Sequence, residues 1–318
     1  MAARTTQKTS VAGRELTFSN LDKVLFPEDG YTKGDLIAYY LSVAKWLVPH
    51  LRDRPLTLER YPDGIDGGSF FEKQAPRFKP AWIPAISLAA EQNTRKIAYM
   101  VCNDEPALAW CANLASITLH VWYSHVPTLD EPDYALFDLD PWEGCTMKTL
   151  AAVALAFRES LEAIGLHPLV KTSGGTGLHV VVPLRPQYSY EAVKQFAELV
   201  ARRIAAQLPR VTTLERAISK RPKGAVYLDW VQVGKGKTVV PPFVVRARRK
   251  APVSMPLHWS EVESLAAKRG GDPVATVATW NITNAAARLK REGDLWAGKA
   301  WRATALEPAL KKAARAWA

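Results

Sequence analysis

Two apolar runs, Leu169–Ser173 and Leu178–Leu184, are separated only by Gly174-Gly175-Thr176-Gly177. Both read as strands, and so short a glycine-rich link makes them a hairpin. Helices are predicted on either side, over Met147–Gly165 and Tyr190–Leu208, and further strands over Ile117–Tyr123, Tyr134–Asp140, Ala225–Gln232 and Val239–Ala247. Hairpins interleaved with helices in this order point to an α+β fold and not to a doubly wound parallel sheet. Upstream, a strand near Glu15–Phe18 leads to a predicted helix start over Ser19–Val24, capped by Ser19 or Asn20. Thr32 then caps a strong helix ending near His50, with Leu36, Ile37, Tyr40, Leu41, Ala44 and Leu47 on one stripe. Leu56–Tyr61 reads as a strand, Gly64–Gly68 as a turn before Phe70 and Phe71, and the chain becomes helical and charged from about Ser260.

Composition narrows the class. A formal net charge of +11 suits a polyanionic partner such as nucleic acid, and equally a merely basic enzyme. Cys102, Cys111 and Cys145 have no C-x-x-C spacing and are odd in number, so they read as reduced thiols in a cytoplasmic protein. The N-terminus lacks an apolar signal core, and no apolar run is long enough to span a bilayer.

The chemistry-bearing residues begin with Asp138 and Asp140 in Asp133-Tyr-Ala-Leu-Phe-Asp-Leu-Asp-Pro141. Strand side chains alternate, so the two carboxylates share a face, as a divalent cation would require. Alone, the pair fits better a solvated strand end before the Pro141 turn. Asp229 is a second stray acid in an apolar strand, Ala225–Gln232. Neighbouring strands that each carry such an acid are consistent with one metal site, although an edge-strand position would explain Asp229 as well. In Ser173-Gly-Gly-Thr-Gly-Leu-His179, the glycine turn offers backbone N–H groups as an anion nest, flanked by the Ser173 hydroxyl and the His179 ring. A plain hairpin turn is the simpler account. Gly236-Lys237-Thr238 is no P-loop, because that motif would need glycine at Val231.

Together D-L-D, S-G-G-T-G-L-H and Y-L-D-W resemble the three motifs of the archaeo-eukaryotic primase superfamily. The closer resemblance is to the polymerase domain of bacterial ligase D, through NLDKVLFPEDGYTKGDLIAYY, GGSFFEKQ, ITLHVW and VVPPFVVRARRKAPVSMPLHWSEV as well. It extends over residues 14–290. It implies a primase-polymerase fold, with mixed and antiparallel sheets forming a central catalytic cleft flanked by helices. Residues 1–13 are then a flexible lead-in, 14–300 the catalytic domain and 301–318 a helical extension.

The resemblance also implies an activity: extension of a primer 3′-OH at gaps or double-strand breaks, favouring ribonucleotides. Asp138, Asp140 and Asp229 are its metal-binding catalytic acids, for two divalent cations, Mn²⁺ or Mg²⁺. Ser173, His179, Arg246 and Gln232 match groups on the incoming triphosphate, and His120 the histidine near the nucleotide sugar. Asn20, Lys23 and Lys33 match a pocket for a downstream 5′-phosphate, and Phe70 and Phe71 an aromatic pair on template bases. Implied partners are gapped or broken duplex DNA, nucleoside triphosphates, a separate DNA ligase and an end-binding protein. No K-x-D-G adenylation motif occurs, since Pro62-Asp63-Gly64 lacks the lysine. A primase acting without a primer, a non-catalytic DNA-end-binding module and a nuclease using the same acids are the alternatives.

Overall fold

The computed structural model describes residues 5–90 and 93–317. They cluster into two compact units within the span read from sequence as one catalytic domain. The first holds the residues through Pro127 with Thr238–Ser254 and Trp280–Gly293; the second holds Thr128–Lys237, Met255–Thr279 and the segment from Asp294. The fold class is α+β.

In the first unit an antiparallel sheet runs in the order Thr238–Val239, Ser116–Trp122, Leu56–Arg60, Asn93–Met100, Ala85–Ala90, and Phe70–Glu72 also pairs with Leu56–Arg60. The Lys33–Leu51 helix starts where predicted. Thr32 Oγ1 accepts the Asp35 N–H at 3.2 Å, while the Asp35 carboxylate accepts the Thr32 N–H at 2.8 Å, a capping box. Leu36, Ile37, Tyr40, Ala44 and Leu47 are buried as the stripe predicts, and the Tyr40 hydroxyl ties the helix to the sheet by donating to the Ile117 carbonyl at 2.6 Å. Leu41 is only half-buried.

Two expectations fail here for local reasons. Ser19–Val24 is not a helix start: Asn20 adopts a left-handed φ of 51°, which asparagine tolerates. The Lys23 N–H then closes a turn on the Asn20 carbonyl. This turn follows a hairpin of Thr6–Val11 with Arg14–Ser19, so residues 6–11 of the expected lead-in are paired strand; residues 1–4 lie outside the described residues. The strand expected over Val239–Ala247 survives only as Thr238–Val239. Pro241 and Pro242 have no N–H to give a ladder, and Phe243 turns the chain with a φ of 69°.

The second unit is a six-stranded sheet in the order Thr212–Thr213, Val226–Asp229, Tyr134–Pro141, Leu178–Pro183, Leu169–Thr172, Pro256–Leu257. All pairs are antiparallel except the first. Phe137 packs its ring 4.9 Å from Phe157 of the Met147–Ala163 helix and 6.3 Å from Phe196 of the Tyr190–Gln207 helix. The helices therefore cover the Phe137 and Leu139 face, and strand alternation sends Asp138 and Asp140 to the other. Beyond residue 300, Thr304 bridges to Leu184 before the Leu306–Ala316 helix. No helix among the described residues is long and apolar enough to cross a membrane, and all three cysteines are buried and free.

Candidate active site

In the second unit Asp138 stands opposite Asp229 on one neighbouring strand and opposite His179 on the other. His179 in turn stands opposite Lys171. Directly opposed residues project to the same face of a sheet. Lys171, His179, Asp138 and Asp229 therefore form one row across four strands, with Asp140 one pleat further along. His179 Nε2 lies 3.3 Å from Asp138 Oδ1. Lys171 was missed by sequence reasoning, although a lysine inside the apolar run Leu-Val-Lys-Thr at a hairpin position opposite His179 is the kind of signal that finds it. It is buried, with Nζ 3.5 Å from the Thr172 carbonyl.

Asp229 is held from both sides. Its Oδ1 accepts the Val231 N–H and its Oδ2 accepts the Gln232 side-chain amide, each at 3.0 Å. Gln232, expected on a triphosphate, thus spends its amide on orienting Asp229. Burial pushes the Asp229 carboxyl up and the facing Asp138 charge pushes it further, against the pull of these hydrogen bonds. Opposed carboxylates on one face are the oxygen donors that hard divalent cations take, and a bound cation would relieve the repulsion that raises Asp229. The donor set fits such ions, while among the described residues no three His, Cys, Asp or Glu side chains stand as a formed metal cage.

The Ser173–His179 turn is built differently from a simple anion nest. Ser173 Oγ accepts the N–H groups of Gly175 and Gly177, both at 3.0 Å, so two of the donors expected for phosphate are already engaged. A Cβ at Gly177 would lie 2.1 Å from the Leu139 carbonyl oxygen. Only glycine allows the turn to lie against the backbone between the two aspartates.

In the first unit His120 Nε2 meets Glu59 Oε2 at 3.0 Å, and the Tyr61 hydroxyl donates to Glu59 Oε1 at 2.5 Å. Burial foremost, helped by the Arg246 charge, lowers the His120 pKa against the pull of Glu59. Burial would raise Glu59, but hydrogen bonds from His120 and Tyr61 and the charges of His120 and Arg246 hold it below its ordinary value. Burial and Glu59 together push Tyr61 up to about 12, which keeps it a hydrogen-bond donor.

This arrangement has a pH signature. Folding depresses His120 below its ordinary 6.5, so the unfolded chain binds the proton more readily. The associated stability is complete above that value and is lost as pH falls beneath it; depressed Glu59 acts in the same direction at lower pH. The thermal-midpoint difference between the wild type and His120→Gln is therefore expected to shrink on going from about pH 7.5 to about pH 5.5. A difference that stays constant or widens in parallel melts contradicts this placement of His120.

Asn20, Lys23 and Lys33 gather around the turn at the start of the Lys33–Leu51 helix, where the Lys33 N–H donates to the Lys23 carbonyl at 2.8 Å. Lys23 Nζ pairs with Asp63 at 2.7 Å. Lys33 is buried, its ammonium donating to the Asn113 carbonyl at 3.1 Å and to Ser19 Oγ at 3.4 Å. Phe70 and Phe71 point to opposite faces of their strand, yet they are 45% and 58% exposed. Phe71 lies 5.3 Å from the His120 ring, and the Arg60 guanidinium lies over Phe70 at 5.2 Å. Arg246 is half-buried in the same unit.

Comparison with known proteins finds relatives over most of the chain. The chain is 35% identical over 295 residues to the multifunctional non-homologous end joining DNA repair protein LigD of Mycobacterium tuberculosis (strain ATCC 25618 / H37Rv), covering 90% of this chain and 37% of that protein. It is 30% identical over 280 residues to the bifunctional non-homologous end joining protein LigD of Bacillus subtilis, covering 88% and 43%. The chain therefore spans well under half the length of these relatives. A solved structure, the polymerase domain of Mycobacterium tuberculosis ligase D in complex with DNA, superposes with a TM-score of 0.77 at 33% identity, covering 88% of this chain and 96% of that one. The profile of the LigD primase-polymerase domain matches residues 32–296. On that match the chain belongs to the LigD primase-polymerase domain family, a family of nucleotidyltransferases.

Proposed function

We propose that this protein extends a primer 3′-OH at a gap or break in duplex DNA by metal-dependent nucleotidyl transfer, in end-joining repair. The observation that carries the reading is the register of Asp138 against Asp229, with Asp140 on the same face and the Ser173–His179 turn packed on the Leu139 backbone. Asp138, Asp140 and Asp229 would hold two divalent cations, Mn²⁺ or Mg²⁺. Bound there, such ions supply Lewis-acid activation of the attacking hydroxyl and charge neutralisation of the triphosphate. Gln232 and the Val231 N–H fix the Asp229 carboxylate toward that task. His179 and the Ser173 hydroxyl present donors beside the acids, suited to triphosphate oxygens. In the first unit, Glu59 orients His120 for the nucleotide sugar, and Arg246 offers a cation to the triphosphate. Ribonucleotide preference rests on the family resemblance, as do a ligase and an end-binding protein as partners. The net charge of +11 serves the DNA backbone, so binding weakens as salt rises.

The test is primer extension on a gapped duplex with Mg²⁺ or Mn²⁺ and either ribo- or deoxynucleotides. Incorporation that needs both primer and metal, and is faster with ribonucleotides, is the expected result. Equal synthesis without a primer favours a de novo primase, and absence of any metal-dependent product removes the polymerase reading.

Lys23 supplies a second test. Its partner Asp63 forms an exposed pair of the kind that contributes little, so a phosphate can compete for the ammonium. Charge-assisted hydrogen bonds of about 1.5–3 kcal/mol imply that removing the 5′-phosphate from a gapped substrate weakens wild-type binding by roughly tenfold or more. Lys23→Ala should bind both substrates with similar affinity in fluorescence anisotropy. A phosphate effect undiminished in the variant assigns that role elsewhere.

A further inference from the structure

Besides Phe70 and Phe71, the first unit exposes a second aromatic pair, Phe78 with Trp110. Arg60, whose guanidinium lies over Phe70, donates through Nε to the Leu114 carbonyl at the end of the Glu105–Asn113 helix, at 3.0 Å. Trp110 lies one helical turn before Leu114 and so shares its side of the helix. Its ring stands 6.1 Å from that of Phe78, at an interplanar angle of 51°. Phe78 is 66% exposed, the most exposed large hydrophobic side chain among the described residues. A phenyl ring left in water beside a half-buried tryptophan serves no core, and its surroundings indicate what covers it. Lys73 and Arg77 are exposed on the same segment, Glu72-Lys-Gln-Ala-Pro-Arg-Phe-Lys79. Among the described residues no salt bridge engages either of them. Backbone hydrogen bonds hold the segment in place: the Ala75 N–H donates to the Ala98 carbonyl at 2.7 Å, and the Lys79 N–H closes a turn on the Pro76 carbonyl at 2.9 Å.

Rings interleaved with unpaired cations on a fixed surface suit a single strand of nucleic acid. Bases stack on the rings whatever their sequence, and phosphates meet the cations. A protein partner would more commonly meet an apolar core with few charges. We propose that Phe70, Trp110 and Phe78, with Lys73 and Arg77, form a platform for several nucleotides of single-stranded DNA beyond the bases at Phe71. This rests on the polymerase reading and adds to it: the enzyme would grip a long unpaired template tract more tightly than a short one.

The test compares binding of primed duplexes carrying an unpaired template tract of about two or about ten nucleotides, a range set by typical site sizes on such surfaces. The wild type is expected to bind the longer tract at least about fivefold more tightly, the low end of a single stacking contact. Phe78→Ala should lose most of that ratio, and Phe78→Tyr should keep it. Lys73→Ala/Arg77→Ala should lower the slope of log affinity against log salt on the long tract by about 1.4, since each single-strand phosphate contact contributes about 0.7. Because these side chains are exposed, melting curves of the variants should match the wild type. A tract-length ratio that is absent in the wild type, or unchanged in Phe78→Ala, overturns the platform while leaving the polymerase reading intact, and assigns the exposed ring to a protein contact instead. A wild type that extends no primer overturns both.

Discussion

Gly177→Ala is expected to lower nucleotide incorporation by roughly a hundredfold or more, although the substitution adds one methyl group to a residue with no reactive atom. The added carbon would lie 2.1 Å from the Leu139 carbonyl oxygen, and both sides of that contact are backbone. Neither can move aside as a flexible side chain would. The turn must withdraw from the aspartate strand, carrying Ser173 and His179 with it, because Ser173 Oγ is bound to the Gly177 N–H. Misplacing reacting groups by about 1 Å costs on the order of a hundredfold in rate. Overpacking of this kind costs about 1–3 kcal/mol of stability, and the thermal midpoint should fall by several degrees. Single-turnover incorporation beside a thermal melt separates the two effects. An alanine variant that keeps wild-type incorporation shows that the turn need not lie on Leu139.

Much of this site could be read from the chain, and the parts that could not have physical reasons. Alternation alone placed Asp138 and Asp140 on one face, because a strand's period is fixed by its pleat. Alternation does not reveal which strands are neighbours, so the residues alone left Asp229 either at a shared metal site or on an edge strand, and the register pairs it with Asp138. The turn at Ser173 was visible as a glycine run. That its N–H groups close on Ser173 Oγ is a three-dimensional detail that no spacing carries. Gln232 came to the triphosphate through the family resemblance, and its hydrogen bond to the neighbouring Asp229 carboxylate is a contact that the sequence did not reveal.

The fold follows the same division. The Lys33–Leu51 helix was legible because its cap and its apolar stripe agree. The helix start drawn at Ser19 failed because serine and asparagine favour turns as readily as caps. There the Ser19 N–H goes to Asn113 Oδ1, a partner far away in sequence. The strands Ala85–Ala90 and Asn93–Met100 and the helix Glu105–Asn113 were not predicted. Lys33, placed at a phosphate by the family resemblance, is buried, and its ammonium donates to the Asn113 carbonyl, a contact that no spacing in the sequence carries.

The second large effect concerns the acids themselves. Asp138 faces Asp229 across the ladder and helps push its carboxyl up, so the pair is a source of repulsion in the folded chain. Residues retained against such a cost are usually there for chemistry. Replacing Asp138 and Asp140 removes two of three acids and relieves part of that repulsion. Activity and stability should then move apart: incorporation collapses while the thermal midpoint holds or rises. Cation stabilisation of transition-state charge is worth several kcal/mol, so the rate loss should be about a thousandfold or greater.

The central claim is thus tested most directly by primer extension with the Asp138→Ala/Asp140→Ala variant on a gapped duplex with Mn²⁺. The expected result is no detectable incorporation by a protein that melts at or above the wild-type temperature. Wild-type incorporation by that variant would contradict the assignment of these aspartates, and with it the nucleotidyl-transfer site.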